Sequence, residues 1–505
     1  MQFLSHNLVA IVVAFFTCAL AWIYGGTRSD LLVSFVPWMV AITAELMLVF
    51  PQSRYGETSG EARTRAWKEM RRDPLVWVGL SFLVLLLIPF INVGLCPICD
   101  YPAIMSGASA EPPVKFMPFC VNVMQHYNVV GWFFSSVVMM IAVRHSLSKS
   151  GKKLLLEIIV WNGAVLALLG FVQQASGAPG PLWATLEDGR KAGDFFSTFG
   201  YPNMAGDYFT TLFALAIGIW RSHVAEVKEE KNRDDVSKRA GKIKIHFWKV
   251  NYHLIPAALF YFGALNTLSR AAIMLVTSLA IVFFFYTFIS TLSKRSKATK
   301  VKRGVIAIAA LAFAMFLASV FMPENMRREV NTLDATGVLD RVSGRGQYHA
   351  RVATEIWKTY PLFGCGGWGY KHFCIPKMTA EELRHIQQTG GINVHNDYLQ
   401  FLAEHGTVGF VLIVALFVLA LKPTVVVWKK LVNAARFAPK DKRPPSPIVI
   451  FSLPAGAFAA LLAMVATMIH AFGDCPLRSP AVMSLFFIIP VAIDGYLPKL
   501  NKEEE

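Results

Sequence analysis

A cluster of polar side chains stands at the start of an apolar run late in the chain. The cluster consists of Asn393, His395, Asn396 and Asp397, and YLQFLAEHGTVGF follows it. One such residue would serve as a helix N-cap, but a cap does not require four. An unperturbed imidazole ionises near pH ~6.5, so a histidine here can accept a proton at neutral pH. We therefore interpret His395 as a candidate general base, with Asn396 or Asp397 either orienting its ring or capping the helix.

Arginines recur in two segments upstream of this cluster. Arg270 lies in NTLSRAAIML, between two apolar runs, where a charge is a functional candidate because inserting it costs about 2.5–3.5 kcal/mol. Arg341 and Arg345 are four residues apart, and Arg351 follows them. Guanidinium groups bind phosphate through paired hydrogen bonds, so these residues predict an anion-binding site. The alternatives are that Arg270 reaches to lipid headgroups and that the others lie solvated on a surface helix.

The second arginine segment also predicts an amphipathic helix. Val352, Ile356, Trp357 and Tyr360 would form its apolar edge. Pro361 and the glycines after it would end the helix.

The composition indicates how these residues are held in place. Hydrophobic residues make up 54% of 505 positions, the mean hydropathy is +0.46 and 16% of residues are charged, which is too apolar for an ordinary soluble protein. Apolar runs of about 18 to 24 residues recur along the chain, and each is long enough to cross a bilayer as a helix. We predict about twelve transmembrane helices, at approximately 7–25, 31–51, 75–97, 128–145, 154–173, 200–220, 252–268, 271–291, 304–322, 398–421, 448–471 and 481–496.

The basic residues predict the orientation. The net charge is +16, but most of the 49 Lys and Arg residues fall in alternate connecting segments. This distribution marks the cytoplasmic side and argues against nucleic acid as the reason for the charge. Both termini are then cytoplasmic, and one large outer loop covers about 323–397. Six cysteines fall at or beyond the outer face, where disulfides are permitted but fifteen connectivities are possible. They are Cys96, Cys99, Cys120, Cys365, Cys374 and Cys475.

Four motifs resemble those of the O-antigen ligase and O-antigen polymerase superfamily. They are STFGYPNMAGDYF at 197–209, NTLSRAA at 266–272, SGR with PLFGCGGWGY within 343–370, and VHNDYLQFLAEHGTVGF at 394–410. The similarity covers roughly 195–420. It implies an all-α polytopic membrane protein of GT-C-like architecture, with one large periplasmic loop that contains short helices.

The resemblance also implies an activity. Such proteins are glycosyltransferases of the bacterial inner membrane, generally without a metal or other cofactor, and their donor is a glycan linked to undecaprenyl diphosphate. Arg270, Arg345 and His395 match the family's catalytic residues, and we expect inversion at the anomeric carbon. Asn203 and Tyr208 belong to the donor-side motif.

One departure from the family leaves a role open. His349 stands where many relatives have tryptophan after the SGR arginine, and Arg351 is close enough in sequence to take the place of Arg345. The acceptor is also open, since relatives act on lipid A core, on another glycan or on protein.

The predicted organisation has three parts. Residues 1–194 supply about five spans, 195–421 form the catalytic region with the loop 323–397, and 422–505 supply a helix pair and a cytoplasmic tail. The competing function is a solute transporter, but transporters place ionisable groups near the midplane and show internal repeats. A protein O-oligosaccharyltransferase of the same superfamily is a further alternative. Ligase and polymerase are not distinguished.

Overall fold

The computed structural model describes residues 7–26, 29–54, 56–94, 112–184, 195–237, 251–292, 348–389, 392–437 and 453–497. These residues form helices and connecting loops, with two isolated β-bridges. The helices are α1 (Leu8–Trp22), α2 (Ser29–Val49), α3 (Ser59–Arg72), α4 (Pro74–Leu87), α5 (Val123–Ser146), α6 (Lys149–Ala175), α7 (Pro202–Ser237), α8 (Leu254–Asn266), α9 (Arg270–Leu292), α10 (348–359), α11 (Ala380–Thr389), α12 (Asp397–Phe437), α13 (Ala455–His470) and α14 (Pro480–Ala492).

The apolar helices are those of a multi-pass membrane protein. Within the described residues, five helical stretches are long and apolar enough to cross a bilayer, and five more apolar helices are shorter. Each predicted apolar run coincides with a helix except 304–322, which lies outside the described residues. The all-helical prediction is confirmed, and the number of spans stays a prediction.

Local sequence signals begin several of these helices. Asp73 accepts the backbone N–H of Leu75 and precedes a proline at the first position of α4. Ser148 caps α6 by accepting the N–H of Gly151. Ser479 caps α14, which again opens on proline. Each cap satisfies an N–H that the helix itself cannot pair.

Helix α7 lies at the centre of one half of the bundle and packs against α6, α8, α9 and α13. Small residues allow its backbone to approach its neighbours. A Cβ on Gly218 would lie 2.5 Å from the Cβ of Ala459, and one on Gly206 would overlap Ala272 at the start of α9. This is the small-residue packing expected where helices associate in lipid.

The described residues of the predicted outer loop carry short helices and take part in a small apolar core. Helix α10 buries Val352 and Ile356 completely, as the predicted amphipathic pattern required. A one-turn helix (Tyr370–Phe373) and α11 follow. The core also contains Phe119, Val121, Cys365, Tyr370, Cys374 and Val394.

Helix α12 is interrupted at Gly406, where φ is +65°. Carbonyls near the break lose helical partners, and the loop after α10 supplies new ones. Cys365 donates its backbone N–H to Ala403 at 3.0 Å, and Gly366 donates to Glu404 at 2.9 Å. Unpaired backbone groups are costly in a membrane protein, so this pairing permits the break.

The other side of the break is paired by the same loop. The backbone N–H groups of Thr407 and Val408 donate to the carbonyls of Pro361 (2.9 Å) and Leu362 (3.0 Å). A Cβ on Gly406 would overlap the backbone of Leu362. The motifs PLFGCGGWGY and FLAEHGTVGF therefore interlock through main-chain atoms, which anchors the loop after α10 on the bundle.

The described cysteines do not form disulfides with one another. Cys18, Cys120, Cys365, Cys374 and Cys475 are buried free thiols, while Cys96 and Cys99 lie outside the described residues. Burial raises the pKa of Cys120 to about 11 and that of Cys374 to about 12. Thiols that remain protonated in this way are poor nucleophiles.

Candidate active site

The site is built around Asp474, in the loop that joins α13 to α14. Its carboxylate is buried and accepts hydrogen bonds from several directions. Tyr201 donates its hydroxyl at 3.0 Å, Asn203 donates its amide, and the backbone N–H of Cys475 donates at 2.8 Å. His395 places Nδ1 at 3.1 Å from Oδ1. Chain segments that are distant in sequence therefore meet at one carboxylate.

These partners keep Asp474 ionised. Burial by itself raises the pKa of the carboxyl group, but the hydrogen bond and charge of His395, the charge of His470 and the Cys475 amide outweigh it and lower the pKa to about 2. Burial and the nearby carboxylate raise the pKa of Tyr201 well above its ordinary value. At neutral pH the pair is thus a carboxylate that accepts from a neutral phenol.

The imidazole of His395 bridges this buried charge and the exterior. Its side chain is 32% exposed, whereas that of Asp474 is 6% exposed. Nδ1 faces a carboxylate, which can only accept a hydrogen bond, so we place the proton of the neutral imidazole on Nδ1. Nε2 then has the available lone pair. A histidine oriented by a buried carboxylate in this way is the arrangement used for general-base catalysis.

Backbone strain is concentrated in the motifs that converge here. Among their described residues, the four motifs identified in the sequence each contain one non-glycine residue with positive φ: Ser197 (+58°), Leu268 (+58°), Trp368 (+60°) and His395 (+52°). Such conformations cost about 1–3 kcal/mol each and persist where the surrounding structure imposes them. The hydroxyl of Ser197, for example, is fixed on the carbonyl of Leu166 at 2.7 Å. The loops are therefore held in defined positions.

Arg270 is the first residue of α9 and is half-buried. The turn before it packs on the start of α7, because a Cβ on Gly206 would lie 3.0 Å from the hydroxyl of Thr267 and 3.1 Å from the Cβ of Ser269. Asn203, which contacts Asp474, lies one turn earlier on α7. Arg270 thus lies at the same end of the bundle as His395.

Residues 255–414 match the family model described as O-Antigen ligase. This segment is therefore similar to O-antigen ligases. The matched segment contains the NTLSRAA, SGR and HND motifs, which confirms the predicted superfamily. No curated protein matches the chain.

The structure describes only one of the other three predicted arginines in the matched segment. Arg341 and Arg345 lie outside the described residues. Arg351 is exposed and forms ion pairs with Glu355 and Glu382, each at 3.0 Å. Its guanidinium would have to leave two carboxylates to bind a phosphate.

The other predicted site residues hold the loop around His395. Asn396 accepts the N–H of Leu399 at 3.0 Å and so caps α12. Asp397 accepts the N–H of Leu477 at 2.9 Å. Tyr208 is completely buried among aromatic rings of the bundle. The ring nitrogen of His395 is oriented by Asp474 instead of Asn396 or Asp397.

A buried ion pair also stabilises the loop that carries His395. Arg478 donates to Glu404 at 2.8 Å, and Asp397 lies 3.9 Å away. Burial lowers the pKa of Arg478, but these two carboxylates outweigh burial and raise it. Gln400 donates to Glu404 and accepts the N–H of Val394, next to His395. The start of α12 is therefore tied to the α13–α14 loop by charge as well as by packing.

The sequence interpretation did not select Tyr201, Asp474 or Arg478. Asp474 and Arg478 lie outside the matched segment, in FGDCPLRSP between two apolar runs. The signal that could have found them is the one used for Arg270, since ionisable residues at a span boundary are functional candidates.

One group in the described part of the chain offers metal-ligand types. His395, Asp474 and Cys475 each provide one donor atom, and these atoms lie within 4.8 Å of one another. The oxygens of Asp474 already accept hydrogen bonds from Tyr201 and Asn203. The three groups thus form a hydrogen-bond network, and a cation would have to displace some of those bonds.

Proposed function

We propose that the protein is a metal-independent, inverting glycosyltransferase that moves a glycan from undecaprenyl diphosphate to an acceptor hydroxyl at the periplasmic face of the inner membrane. The acceptor is lipid A core or another glycan, so the activity is that of an O-antigen ligase or a polysaccharide polymerase. The match of residues 255–414 to the O-antigen ligase family supports the general class.

The observation that carries this proposal is the His395–Asp474 pair. As the acceptor oxygen attacks the anomeric carbon, its proton passes to Nε2 of His395, and the bond to the diphosphate oxygen breaks with its electron pair. Asp474 is a positioning residue that favours the imidazolium formed in this step. General-base assistance of this kind contributes about 10²–10⁴-fold to the rate.

Two arginines supply the positive charge that the leaving group requires. Arg270 and Arg345 bind the diphosphate, whose negative charge grows as the glycosidic bond breaks. Removal of one such electrostatic group commonly costs about 10²–10³ in rate. We assign the second position to Arg345 because Arg351 is already held by Glu355 and Glu382.

The site lies at one end of the helix bundle, which suits a polyprenyl-linked donor. The diphosphate of such a carrier sits at headgroup depth while its tail stays in the lipid. Asp474 precedes α14 and Asp494 follows it, so the helix separates the site from the end where Lys152 pairs with Asp494 at 3.2 Å. The distribution of basic residues supports assigning the site end to the periplasm.

The proposal is tested by deleting the gene in its native cell and expressing variants from a plasmid. We expect Arg270→Ala, Arg345→Ala and His395→Ala each to fail to restore surface polysaccharide on gels, at protein levels equal to the wild type. The matched controls are Arg384→Ala, an exposed arginine of α11, and His372→Ala in the same loop. Full restoration by all three site variants would overturn the catalytic assignment.

The deletion also distinguishes the acceptors. Long glycan that stays on the lipid carrier, beside an unmodified acceptor, identifies a ligase. Single repeat units identify a polymerase. Loss of glycoprotein with intact surface polysaccharide identifies a protein O-oligosaccharyltransferase. Accumulated lipid-linked glycan is expected in each case, and its absence would contradict the proposal that the donor is lipid-linked.

A further inference from the structure

Lys371 is a half-buried cation on the one-turn helix Tyr370–Phe373. Its Nζ lies 3.9 Å from the ring centroid of Trp368. Within the described ranges, no carboxylate forms an ion pair with it, although ion pairs are found for Arg351 and Arg478 close by in the fold. The aromatic ring partly compensates the ammonium charge, but a strongly hydrated ammonium in a half-buried position would gain further from an anion.

A second cation shares the same ring but is already compensated. Arg478 lies 4.9 Å from the Trp368 centroid and is paired with Glu404. Burial lowers the pKa of Lys371, Glu404 opposes this shift, and Arg478 adds to it. Of the two described cations on this ring, Lys371 is therefore the one that lacks an ion pair.

Neighbours of Lys371 connect it to the part of the fold that holds His395. The preceding residue, Tyr370, shares a hydrogen bond of 2.7 Å with Nδ1 of His349. The ring of His349 is 6.1 Å from that of His395, centroid to centroid. Lys371 also shares the Trp368 ring with Arg478, whose Nε lies 3.9 Å from Asp397. These contacts place Lys371 at the same end of the bundle as His395.

We propose that Lys371 binds an anionic group, a phosphate or a sugar carboxylate, carried by the acceptor. This inference rests on the proposed function, in which Arg270 and Arg345 hold the donor's diphosphate. The flexible stem lets the ammonium leave Trp368 for the anion, and the indole face then becomes available to a sugar ring. Lys371 thus selects acidic acceptors over neutral ones.

The test uses the purified full-length protein in lipid nanodiscs with a lipid-linked glycan donor. The acceptor is a phosphorylated glycolipid, assayed before and after phosphatase treatment, beside one with a carboxylated sugar and its reduced, neutral form. We expect Lys371→Gln to raise KM for the charged acceptors about 10–100-fold, the range for loss of one charge-assisted hydrogen bond. Lys371→Arg should recover much of this loss. KM for the donor should not change.

The outcomes separate the possible sources of the anion. With neutral acceptors the wild type and Lys371→Gln should be equal, and an equal KM increase on charged and neutral acceptors would overturn the proposal. A rise in KM for the donor alone would show that the ammonium serves the diphosphate and would also overturn it. The exposed Lys358→Gln is the matched control.

Two further checks keep the result interpretable. If Lys371→Gln lowers the melting temperature, competition by inorganic phosphate against the charged acceptor is compared in the wild type and Lys371→Arg, and no competition in either contradicts the proposal. If the wild type transfers no glycan, the proposed function fails. If it transfers normally and Lys371→Gln is unchanged, only this inference fails.

Discussion

Replacing Asp474 with asparagine is the sharpest perturbation of the proposed base. The substitution keeps the shape of the side chain and an oxygen that can face Nδ1 of His395, but it removes the negative charge. Tyr201 and the Cys475 amide can still donate to that oxygen. The amide of Asn203 donates to the other oxygen of Asp474 and must turn to accept from the new NH2 group. With that adjustment, the change tests the carboxylate's charge at nearly constant side-chain shape.

The structure sets the expected magnitude. The pKa of Asp474 falls from 3.8 to about 2, which corresponds to about 2 kcal/mol of interaction with its surroundings. His395 is the largest favourable contributor, and the same attraction stabilises the imidazolium formed as the acceptor is deprotonated. At about 1.4 kcal/mol per factor of ten, the loss is roughly 30-fold in kcat. Misorientation of the ring would increase it, since carboxylate loss in a Ser-His-Asp triad costs about 10⁴-fold.

The assay is initial-rate glycan transfer by purified protein, with kcat and KM determined for donor and acceptor. We expect kcat to fall at least roughly 30-fold and KM to stay within about twofold, because Asp474 contacts His395 and not the substrates. Asp494→Asn is the control, since it removes a carboxylate from Lys152 at the other end of α14. The reasoning is refuted if Asp474→Asn keeps more than half of the wild-type kcat, or if both variants lose activity equally.

Three further predictions concern stability. Gly406→Ala should lower the melting temperature by several degrees, because its Cβ would overlap Leu362 and disrupt the interlocked backbone. Gly60→Ala, with open space around its Cβ, should be neutral or slightly stabilising. Equal melting temperatures for the two variants would contradict the interlock. Arg478→Met should destabilise the protein by about 3–5 kcal/mol and Glu404→Gln should partly compensate in the double variant, measured by denaturant unfolding; additive losses would contradict the pairing. Because the folded-state pKa of Asp474 is lowered, its carboxylate stabilises the fold above pH ~4 and this contribution disappears as the pH falls toward 2, so melting temperatures across that range should fall more in the wild type than in Asp474→Asn.

Much of the architecture could be predicted from local patterns. Long apolar runs must become helices in a bilayer because a helix satisfies all the backbone groups of a single segment, so the helix positions followed from hydropathy. The spacing of Val352 and Ile356 likewise predicted a helix that buries one edge. The motif around His395 was sufficient to select the imidazole, since a helix N-cap uses one polar side chain and the span boundary carries four.

The partners of that imidazole were decided by the tertiary structure. Asp397 and Asn396 are neighbours of His395 in sequence, yet their oxygens pair with backbone N–H groups, whereas Asp474 approaches from a loop 79 residues away. Sequence proximity does not determine which carboxylate reaches Nδ1, because that depends on how α7, α12 and α13 pack at one end of the bundle. Local composition determined the helices and the candidate base, and long-range packing determined the carboxylate that orients it.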